Sequence, residues 1–247
     1  MLVIMFGKAK FKIFLFKADI LECKINKNTT FAKKNMNNLI VNIGRQYGSG
    51  GHKIGELIAQ ELKIDFYDSK LVNLTAQASG ICKDCLEAID EKRRWFTSIF
   101  SNISPNTSTY SNINNPLSEE SLFKVQSEVI KKLAAQKPCL FVGRCADYVL
   151  RDNQLCINIF CYASLDFKAK NLIQYQNMNS KEEAIKTMSK QDKLRASYYN
   201  HFTNKIWGDK SSYHLMIDTS VLGIEGTALY LTDFIKKVAN TEHYKQI

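Results

Sequence analysis

Proline is scarce, with three residues in 247, which excludes long proline-rich linkers. An uninterrupted apolar run is missing too. Met1 to Phe16 starts apolar but is broken by Lys8, Lys10 and Lys12, whereas a membrane span needs about 20 apolar residues. The same stretch makes a poor signal peptide, because its charge follows the apolar start and no small-residue cleavage site is visible. The seven cysteines are irregularly spaced and form no disulfide framework; reduced thiols in a cytoplasm are expected. The one close pair, Cys82-Lys-Asp-Cys85, lacks the second pair of ligands that a zinc site needs. Two ordinary helix cysteines is the plainer reading.

The net charge of +10 is unevenly spread. Residues 1–35 hold eight lysines against Asp19 and Glu22, a balance of +6, which leaves +4 for the other 212 residues. A nucleic-acid-binding body would show a basic patch with interleaved aromatics, and none stands out. Residues 1–37 read as a dispensable extension, with Met36-Asn-Asn leading directly into the first strand.

Glycine is concentrated. Of eleven glycines, Gly44, Gly48, Gly50 and Gly51 fall within eight residues of Leu39-Ile-Val-Asn-Ile-Gly-Arg-Gln-Tyr-Gly-Ser-Gly-Gly-His-Lys-Ile-Gly55. The pattern is a short apolar strand, a glycine-rich loop and a helix start. Such a loop presents backbone N–H groups and a positive dipole end to an anion. The match to G-x-x-x-x-G-K-[ST] is incomplete. With Gly50 as the second glycine, Arg45 stands at the first, Gly51 at the lysine and His52 at the hydroxyl residue.

Downstream, Ile54, Leu57, Ile58 and Leu62 lie on one helical face, and Ile64–Asp68 is extended. Helices are expected over Ser69–Gly80 and Leu86–Phe100. The polar stretch Asn102–Pro116 is a loop, either a binding segment or a solvated linker. A helix over Glu119–Gln136 precedes the apolar strand Cys139–Val142, and a short helix begins at Ala146. Cys156–Tyr162 is a strand, Leu165–Asn200 a long charged helix, Tyr213–Ile217 the last strand and Ile224–Val238 the closing helix. Five strands alternating with helices specify a doubly wound α/β domain with a mostly parallel sheet, whose ligands sit at the carboxyl ends of the strands. Those ends carry Gly44-Arg45, Asp68, Gly143-Arg144, Tyr162 and Asp218. Asp192 and Arg195 share a helix face; alone they would be a surface ion pair worth ~0.3–0.5 kcal/mol. With Arg45, Arg144, Lys168 and Lys170 they would supply the charge neutralisation that phosphoryl transfer requires.

Six segments, in order, resemble the cytidylate kinase-like family. They are Gly44–Gly55, Phe66-Tyr-Asp68, Val142-Gly-Arg-Cys-Ala-Asp-Tyr148, Asp192-Lys-Leu-Arg-Ala-Ser-Tyr-Tyr199, Trp207-Gly-Asp209 and Ile217-Asp-Thr-Ser220. The resemblance covers about residues 38–240. It implies a P-loop, nucleoside monophosphate kinase-like fold with a five-stranded parallel sheet of order 2-3-1-4-5. It also implies a helical monophosphate-binding insert at 68–135 and a lid at 165–205. The implied activity is ATP-dependent phosphorylation, with Mg²⁺, of a nucleoside monophosphate, CMP or dCMP first. The alternatives are a non-catalytic nucleotide-binding module and a kinase for another small acceptor. The partners implied are small nucleotides, with no membrane.

The same resemblance assigns roles. Gly44, Gly48, Ser49, Gly50, Gly51, His52 and Lys53 would bind ATP. Arg45, Arg144, Asp192 and Arg195 would act on the phosphates, and Asp68, Asp147 and Lys168 would border the acceptor. No residue is assigned as a metal ligand. Arg45 is expected to replace the loop's missing lysine, with Lys53 as the alternative. Ser49 would offer the hydroxyl that position 52 lacks, and His52 is either a phosphate contact or an exposed first-turn histidine. Asp147 either serves magnesium or Arg144, or pairs locally. Deleting residues 1–35 should leave the melting temperature and nucleotide binding unchanged; loss of tight, salt-sensitive RNA or DNA binding on deletion would instead assign that segment to nucleic acid.

Overall fold

The computed structural model describes residues 39–68, 119–176 and 178–241. The expected helices at Ser69–Gly80 and Leu86–Phe100, the Asn102–Pro116 loop, the Cys82/Cys85 pair and the N-terminal extension lie outside the described residues. The described part of the insert is Glu119 onward.

Five strands form one sheet: β1 (Ile40–Arg45), β2 (Asp65–Tyr67), β3 (Cys139–Val142), β4 (Cys156–Tyr162) and β5 (Leu215–Asp218). Their order is β2-β3-β1-β4-β5, as expected. Every pairing is parallel. Helices α1 (Gly51–Leu62), α2 (Glu119–Gln136), α3 (Ala146–Val149), α4 (Leu165–Gln176) and α5 (Lys181–Thr203) lie between successive strands, and α6 (Thr219–Ala239) follows β5.

Both sheet faces are covered, which is why the central strands are mostly apolar; the polar exceptions Asn42 of β1 and Asn158 of β4 hydrogen-bond to each other at 2.8 Å. Alternation at period two sorts the side chains. Val41, Ile43, Leu140, Val142, Ile157 and Ile159 pack with Ile54 and Ile58 of α1 and Leu231 and Ile235 of α6. Ile40, Cys139 and Phe141 pack on the opposite face with Val129 and Ile130 of α2 and Val149 of α3. Four cysteines, Cys139, Cys145, Cys156 and Cys161, are buried and reduced. No helix among the described residues is long and apolar enough to cross a membrane.

Three boundaries differ from the sequence reading. The long charged helix is two helices, because Ser180 caps α5 by accepting the Glu183 N–H at 3.1 Å. The Ser-x-x-Glu spacing at 180–183 is a helix-start signal that overall charge obscured. The last strand starts at Leu215, and Tyr213 instead packs its ring against Phe160 at 4.9 Å. The closing helix begins with a turn from Thr219, then kinks at Gly223 (φ 70°, ψ −178°) before the long run that starts at Ile224.

Ile159, fully buried at the middle of β4, tests the core. Ile159→Ala should cost about 2–5 kcal/mol in a denaturant melt, the range for deleting buried branched aliphatics; a cost below about 1 kcal/mol would mean this face is loosely packed.

Candidate functional site

The site forms where β1, β2 and β3 end. β1 runs into the loop Gln46–Gly50, in which Gly48 (φ 82°) and Gly50 (φ 78°) occupy the left-handed region that glycine alone enters without strain. Gly50 is the N-cap of α1 and supplies no side-chain cap, and the first turn carries no acidic residue. The first N–H groups of α1 are therefore left without a side-chain acceptor from the cap, as an anion site needs.

Other loop groups are used internally. The Ser49 side chain is fully buried, and its hydroxyl donates to the Gln46 carbonyl at 2.9 Å. That hydroxyl, the expected magnesium-facing group, is engaged within the loop. The Thr219 hydroxyl donates to the Ser49 carbonyl at 2.7 Å. Lys53 turns to Glu56 (2.9 Å) on the exposed side of α1. His52 is exposed and lies 3.2 Å from Asp68 at the end of β2.

Arg45 points inward instead. Its chain begins beside Gly51, and its guanidinium lies against Gly143, the first residue after β3. Burial and the nearby guanidinium groups of Arg195 and Arg144 all depress its proton affinity, while Asp68 and Asp192 oppose them. Arginine stays protonated in proteins. Three guanidinium groups and two carboxylates thus share a poorly solvated place, an arrangement that favours an anion. Burial also raises the Asp192 carboxyl and lowers Arg195.

The turn after β3 aims Arg144. Gly143 (φ 79°), Arg144 (φ 58°) and Cys145 (φ 54°) are three consecutive left-handed residues. Two of them have side chains, a costly conformation that collects at functional sites. Arg144 lies over the Tyr198 ring of α5, 5.8 Å from its centroid.

Helices α4 and α5, the expected lid, are tied to the loop. The Tyr47 N–H donates to Asp192 at 2.7 Å. Arg195 donates to the Arg45 carbonyl at 3.0 Å and sits 5.1 Å from the Tyr47 ring centroid. The Tyr47 hydroxyl donates to Gln176 at 2.6 Å. Asn171 donates to the Gly48 carbonyl at 3.0 Å, and Lys168 to the Gln46 side chain at 3.0 Å. Tyr47 also packs into the α4–α5 core of Ala169, Leu172, Ala184 and Met188. Asp192 and Arg195 are hence no surface pair: each side chain is about one-fifth exposed, and they lie 3.5 Å apart.

The fold thus gathers Arg45, Arg144, Arg195, Asp68 and Asp192, with Lys168 beside them and His52 at the edge. Lys170 does not join them; it is exposed among Asp166, Ile173 and Lys181. Asp147 does not face the arginines either and accepts the Tyr199 hydroxyl at 2.7 Å, the local alternative. Asp218 caps α6 through the Ser220 N–H at 2.9 Å, and Trp207 packs edge-on to Phe160. Tyr47, Gln46 and Asn171 were not foreseen. The clue was an aromatic residue inside a glycine-rich loop.

A central glycine loop on a 2-3-1-4-5 parallel sheet, with arginines at the strand ends, defines a P-loop kinase-like protein. The model of the cytidylate kinase-like family matches residues 40–221, and the chain belongs to that family. No curated protein matches the sequence. Among solved structures, an uncharacterized protein from Eubacterium ventriosum is 24% identical, over 83% of this chain and 99% of that one, with a TM-score of 0.59. The likeness is one of fold. Shikimate kinase from Acinetobacter baumannii, solved in complex with shikimate, is 13% identical over 85% of this chain and 99% of its own, with a TM-score of 0.48. The shikimate kinase of Bacteroides thetaiotaomicron is 12% identical over 80% and 98%, with a TM-score of 0.46.

Burial, the largest influence, raises the Asp147 carboxyl above its ordinary 3.8, against the Tyr199 hydrogen bond. The folded state then binds this proton more tightly than the unfolded chain, so ionised Asp147 costs stability. That cost is absent below the ordinary value and grows as pH rises through the raised one. Asp147→Asn should flatten the stability–pH profile over that interval in denaturant melts; an unchanged profile would show that Asp147 is not its source.

Proposed function

We propose that this protein is an ATP-dependent phosphotransferase acting on a nucleoside monophosphate, CMP or dCMP first. The observation that carries the reading is the triad of guanidinium groups, Arg45, Arg144 and Arg195, gathered beside a phosphate-type loop. Membership of the cytidylate kinase-like family supports the choice of acceptor.

The N-terminus of α1, opened by Gly48, Gly50 and Gly51, receives the phosphates of ATP. Asp68 and Arg144, at the ends of β2 and β3, border the acceptor. The acceptor's phosphate oxygen attacks the γ-phosphorus in line, and the ADP oxygen leaves. Arg45 and Arg195 neutralise charge on the moving phosphoryl group, which is most of what an enzyme contributes to this reaction. Asp192 and Tyr47 hold Arg195 in place. No cluster of three or more acidic, histidine or cysteine side chains fit for a metal occurs among the described residues. Mg²⁺ usually keeps several waters and binds through one or two carboxylates plus substrate phosphates, and Asp68 would be the carboxylate here. When bound, the ion would supply charge neutralisation at the transferred phosphoryl group.

A second reading, a nucleotide-binding module without transfer, draws on the loop's missing lysine and the buried Ser49 hydroxyl. A coupled assay with ATP, Mg²⁺ and CMP, dCMP, UMP or AMP separates the two. Background turnover with every acceptor, alongside measurable ATP binding, would leave the binding module. Arg45→Ala should lower ATP binding or turnover by about tenfold or more, the scale of a lost charge-assisted contact, and Lys53→Ala should change it little. The reverse order would place the loop's cation on the helix side.

A further inference from the structure

The loop departs from G-x-x-x-x-G-K-[ST] at two places: Arg45 stands at the first glycine, and Gly51 stands at the lysine. In the fold these positions face each other. A Cβ built on Gly51 would lie 2.6 Å from the Arg45 Cβ, 3.1 Å from its Cγ and 3.2 Å from the Cβ of Cys161. Neither side can yield cheaply. Arg45 is held in register with Cys161 across the β1–β4 ladder. Gly51 opens α1, whose Ile54 and Ile58 are fully buried against the sheet. A Cβ therefore fits at position 45 or at position 51, not at both.

We propose that the two departures are one exchange: the loop's phosphate-contacting cation has moved from the first residue of α1 to the last residue of β1, and Arg45 performs the lysine's contact from the strand side. This rests on the phosphate-site reading given above and deepens it. The exchange also relocates the charge. A Cβ at Gly143 would lie within bonding clash of the Arg45 guanidinium, so the cation reaches past the loop to the β3–α3 turn beside Arg144. It meets the phosphoryl group between donor and acceptor. The fork also gains over an ammonium there, because it can hold two phosphoryl oxygens at once.

The test is a set of full-length variants read by thermal melting and by calorimetric titration with ATP and with inorganic tripolyphosphate. Gly51→Ala and Gly51→Lys in the native background should melt several degrees lower or fail to fold. Arg45→Gly combined with Gly51→Lys should recover folding and restore most of the binding that Arg45→Gly loses, about tenfold. Arg45→Ala combined with Gly51→Lys should not recover, because the alanine keeps the offending Cβ. Equal stability of the two double variants would overturn the steric exclusion. A folded Arg45→Gly/Gly51→Lys protein that binds no better than Arg45→Gly alone would overturn the transfer of charge. If the native protein binds neither ATP nor tripolyphosphate, the phosphate reading of the loop falls and the charge half of the exchange with it, while the melting comparison still decides the steric half.

Discussion

The Arg45 side chain leaves the end of β1 through a slot that exists because residues 51 and 143 have no Cβ. Two neighbouring arginines and burial make that slot costly for a positive charge. The surroundings answer only in part, through Asp68 and Asp192. Most of the local geometry follows from holding a guanidinium there: the left-handed turn after β3, the Arg195 hydrogen bond to the Arg45 carbonyl, and the bare first turn of α1. Asp68, at the end of β2, and Asp192 on α5 offset part of the repulsion among the arginines. An imperfectly compensated cluster of this kind is a preorganised electrostatic site, most effective where water is excluded.

Tyr47 gives the cluster a mechanical side. Its N–H, ring and hydroxyl each engage α4 or α5, so the glycine loop and the helical pair are one packed unit. A lid joined to its neighbour only by solvent-exposed contacts would swing freely. Here displacement of α5 would break the Asp192 and Arg195 contacts to the loop together. The conformation of the loop and the position of α5 are thereby coupled through hydrogen bonds that can be named.

Much of the fold was legible because periodicity reports burial. β3, β4 and α2 begin and end where the apolar pattern does, and the sheet faces sort by simple alternation. The strand order followed from the family resemblance and not from the pattern, since parallel pairing leaves no local mark on a strand. The misread boundaries share a cause. At Ser180–Glu183 a cap motif sat inside a strongly charged stretch, and at Tyr213 an aromatic residue that suits a strand was taken up by side-chain packing on Phe160.

The site was legible in its residue types and less so in its contacts. The sequence alone determined that glycines, arginines and carboxylates collect at strand ends, because each sits at a transition in hydrophobic pattern. It also showed that the loop lacked its lysine, and it marked Arg45 as a substitute. Only tertiary structure showed that Arg45 lies against Gly143 while Lys53 turns to Glu56: the direction of a side chain at a strand end depends on what the neighbouring strand and helix leave open. It likewise sent Asp147 to Tyr199 and Tyr47 into the helical pair. Those partners are remote in sequence, 52 residues apart for Asp147 and Tyr199 and 145 for Tyr47 and Asp192, and such contacts are written in the packing of the folded chain, not in any local spacing.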